Sequence, residues 1–207
     1  MIRTFAGVLL VVFCLSITGC KKSTPPPSPT IDESILQEGD LIFRRGISVA
    51  SRIILSTNNN KVYSHVGIIV KDTSGWNVIH AVPGETGKEH PIETIKKETL
   101  SQFFAPDKAI SGAIFRLDSC QQEAVYAAKK AEQLFHKNIL FDHDYDTNDS
   151  TKMYCTELVW YVYQKNDIDI SEGRRSAYPA MRYQYILPSD ITDNQKLKQV
   201  FFFKREK

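Results

Sequence analysis

The sequence predicts an α+β domain in which an antiparallel sheet packs against one buried helix. Three observations predict it. Two β-rich runs, residues 62–70 (VYSHVGIIV) and 76–81 (WNVIHA), are joined across Asp72-Thr73-Ser74-Gly75, a turn sequence that reads as a hairpin connection. Residues 152–163 (KMYCTELVWYVY) place Cys155, Leu158, Val159 and Val162 on one helical face, while Trp160, Tyr161 and Tyr163 cover much of the remainder. A helix apolar nearly all round belongs in the middle of a domain. Residues 121–137 carry the stripe Ala124, Ala128, Ala131 and Phe135 against lysines and glutamines, the pattern of a surface helix.

Taken in order, the chain begins with a segment that stands outside the fold. Arg3 precedes an apolar run of ten residues, 8–17, which is too short to span a bilayer. The run ends in Ile17-Thr18-Gly19-Cys20, which resembles a bacterial lipobox, where the cysteine is acylated and becomes the new N-terminus. Residues 1–19 are therefore expected to be a lipoprotein signal peptide and Cys20 the lipidation site. Removing Arg3 with the signal lowers the formal net charge from +2 to +1, so lipid rather than charge would tether the chain. Residues 20–30 form the lipidated cysteine and a Pro-rich tether, KKSTPPPSPT, expected to be extended and to hold the domain off the bilayer. The domain itself runs from 31 to 207, a length that supports one hydrophobic core.

Within it, Glu38-Gly39-Asp40 is a turn and 41–44 a short strand, followed by helical spacing through Val49, Ile53 and Ile54. The strand at 62–70 has Tyr63, His65 and Gly67 on one face by alternation, with Val62, Ser64, Val66 and Ile68 on the other. His90 reads as a surface residue of a polar loop, and 93–104 as a helix ending before Pro106. Residues 109–117 form another strand, with Gly112 placed for a bulge. Asp142, Asp144 and Asp146 alternate like the start of a calcium loop, but Thr147 and Met153 stand where such a loop requires glycine and glutamate. The segment is therefore assigned to capping or to facing substrate, and no metal site is predicted. Punctuation at Tyr178-Pro179 and Leu187-Pro188 gives irregular chain, and 199–204 closes the sheet.

Three residues have the chemistry of a thiol hydrolase. Cys155 opens the buried helix, where free N–H groups and the positive dipole end favour a thiolate. His65 is a polar residue inside a core-like strand, and His80 lies near the end of the next strand, close enough to be its neighbour if the register allows. A nucleophile, a base and a group to hold the base make up the minimal set for covalent catalysis. Cys120 opens the surface helix and is expected to be a free thiol, as is Cys155. The interspersed charges offer no basic stripe for nucleic acid.

The stretches Gly39-Asp40-Leu41-Ile42, Tyr63-Ser64-His65-Val66-Gly67, Val78-Ile79-His80-Ala81 and Tyr154-Cys155-Thr156-Glu157-Leu158-Val159 resemble the circularly permuted papain-like hydrolases. These are the YiiX/YaeF-type branch of the NlpC superfamily, with the lecithin:retinol acyltransferases as relatives. The order of strand histidine first and helix cysteine last is that of the permuted branch. The resemblance implies a permuted papain-like (NlpC-like) fold, Cys155 as nucleophile, His65 as general base and acid, and His80 as the orienting group. The YiiX-like proteins usually carry glutamate at the position of His80, whereas the acyltransferase relatives carry histidine, so Glu85 stands as an alternative third member. Tyr154 is a candidate for lining the site and the Cys155 N–H for stabilising an oxyanion. No cofactor is implied. The expected substrate is a peptide or other amide, drawn from peptidoglycan fragments or acylated amines, with the protein lipid-anchored in the bacterial cell envelope. The alternatives are an acyltransferase or lipid-amide hydrolase using the same triad, a non-catalytic binding module, and a zinc site built from the cysteine and two histidines.

Overall fold

The computed structural model describes residues 27–57, 60–84, 92–177 and 182–206. The signal segment, Cys20, Glu85, His90 and Tyr178-Pro179 lie outside them. In chain order the elements are a 3-10 turn (Glu33–Ile35), β1 (Leu41–Gly46), α1 (Val49–Thr57), β2 (His65–Asp72), β3 (Gly75–Ala81), β4 (Ile95–Thr99), α2 (Leu100–Phe103), β5 (Ala109–Leu117), α3 (Gln121–His136), β6 (Leu140–Phe141), β7 (Lys152–Met153), α4 (Cys155–Gln164), α5 (Pro188–Thr192) and β8 (Leu197–Lys204).

Six strands form one antiparallel sheet in the order β4-β3-β2-β1-β5-β8, and β6 and β7 make a short parallel pair. The predicted hairpin closes with Asp72 opposite Gly75 and Ile68 opposite Ile79. Alternation along the central strands divides the core in two. Leu41, Phe43, Val66, Ile68, Val70, Ile79 and Ala113 meet Ala124, Ala128, Ala131, Leu158, Val159 and Val162 of α3 and α4. Ile42, Ile69, Val78 and Ile114 face the other way, onto Phe103 and Phe104. Both rings are fully buried, and truncating either to alanine would cost about 3–5 kcal/mol. The alanine stripe of α3 buries Ala124, Ala127, Ala128, Ala131 and Leu134.

Gly39 is required for two reasons. Its φ is +89°, and a Cβ there would collide with the backbone of Ala124. Its N–H donates to the Ile69 carbonyl at 2.8 Å, and its carbonyl accepts from the Tyr163 hydroxyl at 2.7 Å, tying the turn to β2 and α4. Arg116 donates to both carboxylate oxygens of the adjacent Asp40, at 2.8 and 2.7 Å.

Several local expectations are corrected. The segment 93–104 is a strand followed by a single helical turn rather than one helix. Its Ile95–Thr99 half supplies the hydrogen bonds that the outer edge of β3 lacks, and Thr99 caps the turn with Gln102 in a reciprocal capping box. β2 starts at His65, and Tyr63 packs with Phe43 and Phe115 on the helix side instead of sharing a face with His65. Gly112 is no bulge. It sits in regular pairing because any side chain would strike the Phe104 ring and the Phe43 carbonyl, while the register shifts fall at Arg45/Gly46 and Ile114/Phe115. Lys152 and Met153 form β7, so α4 begins at Cys155 itself. The last part of the Pro-rich segment is docked rather than free: Ser28 Oγ donates to the Ser101 carbonyl at 2.8 Å, and Arg205 Nη1 donates to the Pro27 carbonyl at 2.6 Å.

Candidate active site

The site forms where the N-terminus of α4 meets the start of β2. Tyr154 is extended (φ −96°, ψ 173°) and precedes the helix without a Ser or Thr cap. The N–H groups of Cys155 and Thr156, with that of Val66 from β2, face the Cys155 thiol. Both neighbours of the cysteine grip one residue of the opposite wall. The Tyr154 hydroxyl oxygen accepts from the Ile186 N–H at 2.9 Å, and Thr156 Oγ1 donates to the Ile186 carbonyl at 2.6 Å. Leu187 N–H then donates to Asp190 Oδ2 at 2.8 Å at the start of α5. Tyr154 thus both packs, at 2% exposure, and lines the site.

The hairpin brings the two histidines together. The register that pairs Ile68 with Ile79 puts His80 across from Gly67, whose missing side chain leaves space for the ring to lean diagonally toward His65. His65 Nε2 lies 2.8 Å from His80 Nδ1. His80 is fully buried, and its Nε2 lies 3.4 Å from Glu98 Oε2 on β4. Lys108 Nζ donates to the other oxygen of Glu98 at 2.8 Å. Phe103 stacks on His65 at 5.6 Å and meets His80 edge-on at 5.2 Å, and the Arg44 guanidinium lies 4.7 Å above the same ring.

Burial pushes the Cys155 thiol up, and the surrounding N–H groups and Arg44 pull it only part of the way back. Burial likewise drives His65 well below the ordinary imidazole value, with Arg44, His80 and Lys108 acting in the same direction. Both shifts favour the uncharged forms at rest, a thiol and a neutral imidazole, with desolvation acting against the thiolate that the helix terminus favours. Glu98 behaves oppositely. Burial raises its carboxyl, but the contacts with His80 and Lys108 overcome that and hold it below the usual carboxylate range. On the inner face of α4, burial pushes Glu157 up to about 9, reinforced by Asp142, Asp146 and Asp149, so it is uncharged at neutral pH.

Cys155 and His65 open on one cleft of about 760 Å³. Its walls are apolar along α1 (Val49, Ile53, Ile54) and along Tyr145, Tyr185 and Leu187. α1 buries no residue fully: Val49 and Ile53, 72% and 59% exposed, face the cleft and solvent, while Ile54 packs part-buried against the core. Asp142 accepts from the N–H groups of Asp144 (2.8 Å) and Asp146 (2.7 Å), a loop-stapling role that brings Tyr145 to the cleft. Among the described residues no group of three His, Cys, Asp or Glu side chains is arranged to hold a metal ion. Cys120 and Cys155 are both free thiols.

Of the residues singled out in the sequence, Cys155, Tyr154 and His65 share the cleft, and His80 stands directly behind His65. Arg44, Thr156 and Glu98 were missed. In the sequence Arg44 merely ends a short strand, Thr156 is one polar residue after the cysteine, and Glu98 lies in a segment whose spacing predicts a helix.

The chain matches the model of the permuted papain-like amidase enzyme family, YaeF/YiiX, C92, over residues 35–201. A crystal structure of the metalloprotein yiiX from Escherichia coli O157:H7 superposes with a TM-score of 0.63 at 20% identity, covering 80% of this chain and 96% of that one, a likeness of fold. No curated protein matches the sequence. The family match spans nearly the whole sheet and both ends of the cleft, and the chain, with its antiparallel sheet and cysteine-bearing helix, belongs to the permuted papain-like amidase family.

Proposed function

We propose that the protein is a lipid-anchored cysteine amidase of the bacterial envelope, with Cys155 as nucleophile, His65 as base and acid, and His80 as the group that holds His65. One observation carries this reading: Cys155 and His65 open on the same cleft, with His80 2.8 Å behind the base. Because both partners rest neutral, the thiol proton passes to His65 as sulfur attacks the amide carbon. The N–H groups of Cys155, Thr156 and Val66 already face the sulfur and are the donors we assign to the developing oxyanion. Collapse breaks the C–N bond, His65 gives its proton to the leaving amine, and water, activated by the same imidazole, releases the acyl group from sulfur.

The cleft favours one substrate class among those considered. Its volume is in the range of small-molecule sites, and its walls offer aliphatic and tyrosyl surface. Arg44 is committed to the Phe103 carbonyl and Lys108 to Glu98, so neither is placed for the several charges of a cell-wall peptide. An amide with an apolar acyl group fits better, which brings the lipid-amide reading ahead of peptidoglycan fragments.

The test is hydrolysis of a series of N-acyl amides of increasing chain length by the domain from residue 27 onward, with mass spectrometry of quenched enzyme. A Cys155-linked acyl adduct and a rise in kcat/KM with chain length are expected. Cys155→Ala should lower turnover at least about 1000-fold with the fold retained, and Cys120→Ala should leave it unchanged. Full activity in Cys155→Ala would end the proposal.

A further inference from the structure

We propose that Glu98 is a positioning residue of the site: acting through His80, it decides which nitrogen of His65 carries the proton. The catalytic part of this inference rests on the amidase reading above, whereas the proton placement does not. The groups form a line running inward from the cleft, with His65 Nε2 2.8 Å from His80 Nδ1 and His80 Nε2 3.4 Å from Glu98 Oε2. Lys108 occupies the other carboxylate oxygen at 2.8 Å.

An ionised carboxylate can only accept hydrogen bonds, so the imidazole nitrogen facing it has to be N–H. Neutral His80 protonated on Nε2 has a bare lone pair on Nδ1. That lone pair accepts from His65 Nε2–H, and neutral His65 protonated on Nε2 is bare at Nδ1. Nδ1 is then the atom able to take the Cys155 proton. The reverse ordering would set a ring lone pair against a carboxylate in a site closed to water, an arrangement with no hydrogen bond to offset it.

Protonating His80 on both nitrogens would also be harmful. His80 Nδ1–H would then require His65 Nε2 as acceptor and drive the proton of neutral His65 onto Nδ1, disabling the base. The charges around the pair are Arg44 from β1, Lys108 from the segment before β5, Lys96 opposite His80 on β4, and Glu98 itself. Arg44 and Lys108 oppose a second proton on His65. In the catalytic step the Cys155 S–H bond breaks and a His65 Nδ1–H bond forms, leaving His65 doubly protonated. The charge stays on His65, where Glu98 stabilises it through the intervening His80, and the 3.4 Å contact has room to shorten as that charge develops. A carboxylate one hydrogen bond from the base is the common arrangement; here His80 stands between, hydrogen-bonded to His65 and in a 3.4 Å ion contact with Glu98.

Long-range proton–nitrogen NMR on the nitrogen-labelled protein near neutral pH reads the tautomer of each ring directly and needs no substrate. Both histidines are expected as Nε2–H in the wild type. Glu98→Gln, whose amide can turn its NH2 toward His80, should shift both rings toward Nδ1–H, with kcat reduced about 100-fold and KM little changed. Lys108→Met should leave the tautomers in place. His65 found as Nδ1–H in the wild type would overturn the proposal, as would Glu98→Gln with both tautomers and kcat unaltered. If Glu98→Gln does not fold, the wild-type spectrum still decides. If the tautomers are as expected but no amide is cleaved, only the amidase reading fails.

Discussion

Cys155 and His65 are held uncharged by their own enclosure, and this sets how the site responds to pH. Alkylation of Cys155 by iodoacetamide should have its midpoint above the value of about 8.5 typical of a free thiol, with Cys120 in the same chain as the internal comparison. A midpoint below that of Cys120 would mean that a thiolate–imidazolium pair exists at rest. For His65 the folded value is depressed, so the unfolded chain takes up its proton first as pH falls. The associated stability is complete above the ordinary imidazole value of 6.5 and is lost below it. Glu157 has the opposite sign. Its folded value is raised to about 9 from 4.5, so the unfolded chain ionises first and stability falls as pH climbs through that window. Glu157→Gln should therefore stabilise the protein by on the order of 2 kcal/mol near pH 8 and by little near pH 4, measured by urea unfolding. At this scale the sequence disclosed the residues whose types are rare and chemically loaded, Cys155, His65 and His80. It did not disclose Glu98, one of many surface-like glutamates, whose distinction comes only from a cross-strand neighbour.

The elements explain the rest of that gap. β4 looks helical by composition because Lys96, Lys97 and Glu98 suit a helix, and it becomes a strand because the open edge of β3 needs partners. Once it is a strand, alternation turns Glu98 toward His80 while Lys97 reaches Asp72 and Glu132 on the opposite side. α4 shows a second dependence of site on element. Its first turn holds the wall of the cleft through the Ile186 N–H and carbonyl, so helix and wall move as one body. Tyr154→Phe leaves a buried N–H without its acceptor and should cost about 1–3 kcal/mol, read as a lower urea midpoint at unchanged m-value. Loss of the hydroxyl with no change in midpoint would show that the grip is incidental.

For the whole molecule, the hairpin, the surface helix and the buried helix were legible because their hydrophobic periods are long and regular. The six-strand order was not, since pairing β1 with β5 and β5 with β8 joins segments far apart in sequence. The lipid anchor is a separate expectation at this scale. Cys20→Ser should abolish incorporation of labelled palmitate and move the protein from the membrane pellet to the soluble fraction. Its retention in the pellet would refute anchoring at that residue.

The docking of Pro27 and Ser28 against Arg205 and Ser101 has a consequence for where such an enzyme works. Only residues 21–26 then separate a lipidated Cys20 from the folded body, a leash of at most about 25 Å. The domain would patrol a thin layer at the membrane surface, its encounters counted per area of bilayer rather than per volume of fluid. Amides dissolved in that bilayer would be met at a local concentration that no bulk assay reproduces.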